Sequence, residues 1–392
     1  MLNRLALLPL ALLLTSCGDD TNSSDASFAS DGTALGDMSE DGAAEDAASD
    51  ATAPPADAAS DALPGADAGD AAVVDRIGAP LREWSWVPID GAICANGAPT
   101  GVAINLSDAS DNVMIYFEGG GACWDFESCY EEELASFIES GFSGDDFDVD
   151  LGLDDGLTNR ERADNPVRDW SWVYVPYCTG DVHAGNRTAV YNGRTTEHRG
   201  HRNFQLALAR IVATRPSATR VLMTGSSAGG YGASFNLATA RTAYPSARID
   251  LISDGGPLLA APALRESRRD EWLAAWGREV FDQCAGCADD WSRIYSAAAA
   301  ADPTARVALL SWSVDPVIAF YFDSEESEFA SGLESAQRDH FDTNRNAALF
   351  AVRGEGHTMF GQFESTVAGG TNALRWIYQV LNDDPSWTSV TP

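Results

Sequence analysis

Between Gly18 and Asp75 the sequence contains no lysine or arginine and almost no aromatic residue. Asp, Ala, Ser, Gly, Thr and Pro supply nearly all of it, and fifteen of its residues are acidic. A segment so poor in apolar bulk cannot bury enough surface to offset its conformational entropy, which predicts a disordered tether over 18–75. A flexible chain of that length has a root-mean-square reach of about 40 Å. Basic charge is scarce elsewhere as well. The formal net charge is −34, and the part beyond the tether, with 44 acidic residues against 24 basic ones, keeps about −20 of it. That field repels phosphate backbones, which excludes nucleic acid as a partner, and any polyanionic substrate would need local basic groups.

The N-terminus lacks a run long enough to cross a bilayer. The stretch "LALLPLALLL", which follows Arg4, has instead the length of a signal-peptide core. It ends in "LTSC", which resembles the lipobox of bacterial lipoproteins, where the cysteine becomes the lipidated first residue after cleavage. The expectation is a lipoprotein signal peptide over 1–17, lipidation at Cys17, and an exported, cell-envelope protein that meets the membrane only through its anchor.

Export governs the reading of the other cysteines, Cys94, Cys123, Cys129, Cys178, Cys284 and Cys287. An even number in an exported chain reads as disulfides, and six cysteines allow fifteen pairings. The close pairs Cys123 with Cys129 and Cys284 with Cys287 leave Cys94 with Cys178. As a redox or zinc motif, Cys284-Ala-Gly-Cys287 lacks a second CxxC and nearby histidines. The acidic "GDDFDVDLGLDDG" lacks the glycine and terminal glutamate of an EF-hand loop and reads as solvated loop. No metal and no cofactor is expected, and the oligomeric state is left open.

Residues 76–392 show no internal repeat and no second linker, which predicts a single domain. The apolar runs "NVMIYF", "WSWVYV", "RVLMTG", "IDLISD", "RVALLSW" and "AALFAV" alternate with longer segments, among them the helical candidates "RNFQLALARIVAT" and "TNALRWIYQVLND". Continuous apolar runs suit strands buried on both faces, and their alternation with helices predicts an α/β fold with a mainly parallel central sheet. Ligands of such sheets bind beyond the carboxyl ends of the strands.

Gly225-Ser226-Ser227-Ala228-Gly229 fits G-x-S-x-G, with the strand candidate "RVLMT" before it and an Ala/Gly-rich helix candidate after it. In that setting the pattern reads as a nucleophile elbow with Ser227 at its centre. A serine hydroxyl needs a base within hydrogen-bond reach and a carboxylate to orient that base. In the chain order serine, acid, histidine, only His340 and His357 follow Ser227. His357 lies after a strand and a glycine loop, whereas His340 sits in the polar "AQRDHFDTN". Asp315 follows "RVALLSWSV" one strand before His357, and Asp254, after "IDLIS", is the alternative acid. Two backbone N–H groups are expected to receive the oxyanion, from Ala228 and from the glycine loop Glu118-Gly119-Gly120-Gly121. His183 could line the site or serve the structure, and Trp84, Trp86, Trp170 and Trp172 could offer a sugar platform or belong to the core.

Taken together, "ICANGAPTG", "IYFEGGGACWD", "DNPVRDWSWVYVPYCTGDVHAGN", "TGSSAGGYG", "ISDGGP", the aspartate after "SWSV" and "GEGH" resemble the pectin acetylesterase family, which includes the animal Wnt deacylase Notum. The resemblance runs from about Trp84 to the end of the domain. It implies an α/β-hydrolase fold and a carboxylesterase in which Ser227 is nucleophile, Asp315 orienting acid, His357 base, and Gly120 with Ala228 oxyanion donors, Gly119 being a further possibility. It also implies a disulfide between Cys94 and Cys178. The chain departs from many relatives at Gly121-Ala122, where they carry tryptophan after paired glycines, and at Asp254-Gly255-Gly256. Both places could line the pocket, so the choice of ester transfers least. The leading expectation is an esterase acting on acetyl or another short acyl ester, on a carbohydrate. The alternatives are a deacylase or lipase for longer acyl esters of lipid, polyester or protein, and an inactive surface binding protein on a hydrolase fold.

Overall fold

The computed structural model describes residues 74–147 and 157–392. The expected signal peptide with Cys17, nearly all of the expected tether and the greater part of "GDDFDVDLGLDDG" lie outside the described residues. An eight-stranded sheet organises the rest. The chain enters it through β1 (Trp84–Ile93) and β2 (Pro99–Asn105), which pair antiparallel. Next come β3 (Val113–Phe117) and β4 (Ser171–Val175), then a separate hairpin of β5 (Arg187–Tyr191) and β6 (Arg194–His198). The sheet continues with β7 (Arg220–Ser226), β8 (Arg248–Asp254), β9 (Val307–Val314) and β10 (Ala347–Glu355). The spatial order is β1-β2-β4-β3-β7-β8-β9-β10, and every pairing from β4 to β10 is parallel. The six apolar runs of the sequence are those six parallel strands, as the expected α/β architecture requires.

Side chains alternate between the faces of a strand with period two, and the core follows that rule. Val113, Ile115, Phe117, Val221 and Met223 pack into one apolar layer, whereas Met114 and Leu222 pack into the other. Over the first layer lie α1 (Gly200–Thr214), α2 (Ala228–Phe235), α3 (Leu237–Ala243), α4 (Glu266–Trp276), α5 (Arg293–Ala301), α6 (Pro316–Phe322) and α7 (Glu326–Ala336). The second layer is closed by α8 (Ala373–Leu381), which contributes Trp376, Ile377 and Val380. Trp170 and Trp172 are buried there, with the Arg160 guanidinium 3.7 Å from the Trp172 ring centroid, and Trp84 and Trp86 pack against Phe147. Trp170 and Trp172 are core, Trp84 and Trp86 are half-buried at its margin, and none of the four is among the described residues that line the cleft described below. The chain has no lysine, and arginines do the ionic pairing. Near the amino ends of β7 and β8 the buried Asp250 carboxylate accepts Nε–H from Arg220 at 2.6 Å and from Arg248 at 2.8 Å. Fixed charge thus locks one end of the sheet and leaves the carboxyl ends for chemistry.

Three disulfides close the described part, Cys94–Cys178, Cys123–Cys129 and Cys284–Cys287, with sequence separations of 84, 6 and 3. Loop-closure entropy makes the first the most stabilising, at about 4 to 5 kcal/mol against about 2 kcal/mol for the last. Replacing Cys94 and Cys178 together by alanine is therefore expected to lower the unfolding free energy in denaturant titration by more than twice the loss from replacing Cys284 and Cys287. Equal losses would contradict this ranking.

Candidate active site

Ser227 occupies the bend between β7 and α2 with φ 56° and ψ −124°, a backbone conformation costly for any residue with a side chain. The neighbouring glycines explain how it is held. A Cβ at Gly225 would stand 2.5 Å from the carbonyl oxygens of Phe117 and Gly229, and one at Gly229 would overlap the Phe117 carbonyl. The ends of β3 and β7 and the first turn of α2 therefore approach one another with backbone alone between them. Ser227 N–H donates to Asp254 O at 2.8 Å, which ties the bend to β8.

Two distant residues converge on the hydroxyl. The Ser227 hydroxyl donates to His357 Nε2 at 2.8 Å, and His357 Nδ1–H donates to Asp315 Oδ2 at 2.8 Å. Asp315 directly follows β9, is fully buried, and caps α6 by accepting Ile318 N–H on Oδ1 at 3.0 Å. One carboxylate oxygen thus starts a helix while the other orients the imidazole. His357 lies just past β10, where Gly356 N–H donates to Val314 O at 3.1 Å.

Asp254 makes no hydrogen bond to His357. Its carboxyl accepts from the Ser226 hydroxyl at 2.9 Å and from the N–H groups of Met359 and Phe360, each at 2.9 Å. Burial pushes its pKa up to about 6 despite these donors. Asp254 therefore holds the segment immediately after His357. His340 is remote in partners: its ring bonds Ser296 at 2.8 Å and Ser292 at 2.9 Å.

The glycine loop lies against the bend, since a Cβ at Gly119 would stand 2.6 Å from Ser226 O and 3.1 Å from Ser227 Cβ. Gly120 (φ 152°) and Gly121 (φ 78°) adopt conformations that favour glycine. Among the described residues no hydrogen bond engages the N–H groups of Gly119, Gly120 or Ala228, and all three residues border the spaces around Ser227. The loop is supported from below by residues that sequence reasoning left out or undecided. Buried His183 donates Nε2–H to Glu118 O at 2.8 Å, and burial lowers its pKa to about 4, which keeps the ring neutral. Tyr177 donates its hydroxyl to Gly121 O at 2.8 Å and its N–H to Glu118 Oε2 at 2.8 Å. A histidine at 183 was visible in the sequence; its service to a loop 65 residues upstream was not.

A cleft of about 440 Å³ opens over Ser227 and His357, lined also by Tyr116, Glu118, Tyr174 and Phe360. The Tyr116 ring stacks on Tyr174 at 5.9 Å and meets Phe360 at 5.2 Å. Among the described residues no arginine lines the cleft. The arrangement as a whole offers a hydroxyl bonded to an imidazole, a carboxylate behind it, and free backbone donors beside it, the parts that nucleophilic acyl transfer needs.

Residues 87–274 match the family described as Pectinacetylesterase. Over 171 residues, 42% of this chain and 42% of the relative, the sequence is 28% identical to pectin acetylesterase 7 of Arabidopsis thaliana. It is 27% identical over 175 residues to pectin acetylesterase 4 of the same plant, covering 43% of this chain and 42% of that one. It is 26% identical over 183 residues to palmitoleoyl-protein carboxylesterase NOTUM of Mus musculus, covering 44% and 35%. The chain thus spans about two fifths of the length of the curated relatives it matches. Among the described residues no helix is long and apolar enough to cross a membrane.

Burial pushes the Glu118 carboxyl up from 4.5 to about 7. Because the folded state holds this proton more tightly than the unfolded chain does, the associated stability is complete below pH 4.5 and is lost as the pH rises through about 7. In Glu118→Gln that loss should vanish: the melting temperature of the parent should fall relative to the variant between about pH 5 and pH 8. A parent-to-variant difference that stays constant across this range would contradict the assignment.

Proposed function

We propose that the chain, which matches the pectin acetylesterase family over residues 87–274 and resembles Notum, is a serine carboxylesterase that removes acetyl or another short acyl group from an oxygen ester, on a carbohydrate. The observation that carries the reading is the continuous hydrogen-bonded line from Ser227 through His357 to Asp315, set beside Gly119–Gly121. In the proposed mechanism Ser227 Oγ attacks the ester carbonyl while His357 Nε2 takes the hydroxyl proton. The buried Asp315 carboxylate stabilises the imidazolium, and the N–H groups of Gly120 and Ala228, with Gly119 as a further donor, receive the oxyanion. His357 then protonates the departing alkoxide, which leaves an acyl-Ser227. Water attacks that ester, gives its proton to His357, and releases the carboxylic acid and free Ser227.

The hydroxyl-bearing, aromatic lining of the open cleft, with Tyr116, Tyr174 and Phe360, suits the polar and apolar faces of a sugar. The lack of arginine in that lining favours a neutral polysaccharide over a polyuronate. In the cell, the expected lipid on Cys17 and the acidic tether would hold the enzyme at the envelope, clear of the membrane surface.

Ser227→Ala and His357→Ala should each lower kcat by about 10³-fold or more on aryl acetates, with the double variant little worse, because the members act as a unit. A fluorophosphonate probe should label Ser227 in the parent; absence of that adduct would favour the inactive binding protein. Charge gives a second measurement. Deacetylation of acetylated polygalacturonate should be slow at low ionic strength and accelerate with salt, while that of acetylated xylan stays level. Faster turnover of the polyuronate at low salt would overturn the neutral-substrate reading.

A further inference from the structure

Ser227 stands between two spaces of very different size. On one side is the open cleft of about 440 Å³. On the other, behind Ser227 and Ala228, is a recess of about 20 Å³ walled by Val182, Tyr231, Trp272, Ile318 and Phe322. A space of that size holds about one water-sized group. Gly121, Ser227 and Tyr321 line both spaces, and of these three Tyr321 alone has a bulky side chain to stand between them. The partition is latched, because the Tyr321 hydroxyl donates to Leu134 O at 2.6 Å. It also presses on the glycine loop: a Cβ at Gly121 would stand 2.5 Å from the Tyr321 hydroxyl oxygen.

We propose that Tyr321 is the residue that limits acyl length, confining the acyl group to a recess that accepts a methyl and little more. This deepens the esterase reading and rests on it. With the carbonyl oxygen directed to the Gly120 and Ala228 N–H groups, the two substituents of the carbonyl carbon leave it in different directions. The apolar recess suits the alkyl side, and the open cleft with its tyrosines and Glu118 suits a hydroxylated alcohol. A longer alkyl chain would have to displace the half-buried Tyr321 ring and break its hydrogen bond to Leu134 O. Discrimination by a closed apolar pocket is worth about 10- to 200-fold per methylene. The motif-bearing residues are silent on this point, because Tyr321 belongs to α6 and lies outside both the elbow and the glycine-loop motifs in the sequence.

The test compares kcat/KM for p-nitrophenyl acetate, butyrate and octanoate in the parent, Tyr321→Ala and Tyr321→Phe. The parent should prefer acetate to octanoate by at least about ten-fold, and Tyr321→Ala should raise the octanoate-to-acetate ratio by about ten-fold or more. Tyr321→Phe keeps the ring and should keep the parent ratio within about two-fold, which separates bulk from the hydrogen bond. Tyr321→Leu should move the ratio in the same direction as alanine and guards against a variant that does not fold. An unchanged ratio in folded Tyr321→Ala and Tyr321→Leu overturns the proposal. A readout free of catalysis uses the Ser227→Ala background: methyl octanoate should raise the melting temperature of Ser227→Ala/Tyr321→Ala but not of Ser227→Ala. Equal shifts overturn the partition. A parent inert toward every ester would instead sink the esterase reading, and the binding comparison would still decide the role of Tyr321.

Discussion

The contact on which the site depends is made by backbone alone: the carbonyl of Phe117 at the end of β3 lies against Gly225 and Gly229, which flank the bend at Ser227. No side chain fits between these segments. Their close approach fixes where α2 begins, and the positive φ of Ser227 follows from having to turn there. A conformation of this kind costs on the order of 1–3 kcal/mol and survives only where the surroundings over-determine it. Here they do, since Ser227 N–H is held by Asp254 O and the turn is enclosed by buried strands. Once the hydroxyl has a fixed position, an imidazole and a glycine loop can be brought to it from elsewhere in the chain. Were the bend mobile, no arrangement of the partners would keep them within hydrogen-bond distance.

Two carboxyls at the ends of neighbouring strands divide the work of placing that imidazole. Asp315 and Asp254 are both buried and both close a parallel strand, and their difference lies in what donates to them. Asp315 receives His357 Nδ1–H and a helix N–H, so its negative charge faces the ring. Asp254 receives a serine hydroxyl and the N–H groups of the two residues that lie second and third after His357. The ring is thereby gripped directly by one carboxyl, and its chain is gripped by the other. A substitution at either would disturb His357, and only the direct partner would change the electrostatics of the imidazolium.

Much of this was legible in the sequence. The six parallel strands are apolar on both faces, and a strand buried on both faces announces itself as an unbroken run such as "VLMTG". β1 and β2 were not legible in the same way. They lie at the antiparallel edge, β1 is interrupted by Pro88 and Gly91, and its exposure is mixed along its length. Ser227, Asp315 and His357 could be nominated because chain order and strand ends leave few candidates. The sequence position of Asp254 is equivalent to that of Asp315, so only coordinates could separate them. The supports of the glycine loop were hidden for a different reason: His183 and Tyr177 act through folded contacts across 65 and 56 residues, and no local pattern encodes such contacts. Tyr321 likewise belongs to no motif, since its effect comes from where α6 points after Asp315 has capped it.

The charge of the chain bears on the proposed reaction in a way that composition alone does not reveal. An acyl ester of a neutral sugar carries no charge, so the acidic surface neither draws it in nor turns it away. Hydrolysis changes this, because the product acid ionises at neutral pH and becomes an anion within the field of a domain that carries about −20. The cleft lining offers no arginine to retain it. The same acidity that would hinder a polyanionic substrate therefore assists the departure of a carboxylate. Substrate selection and product release become two consequences of one electrostatic bias, while the size of the acyl group is left to the packing around Tyr321.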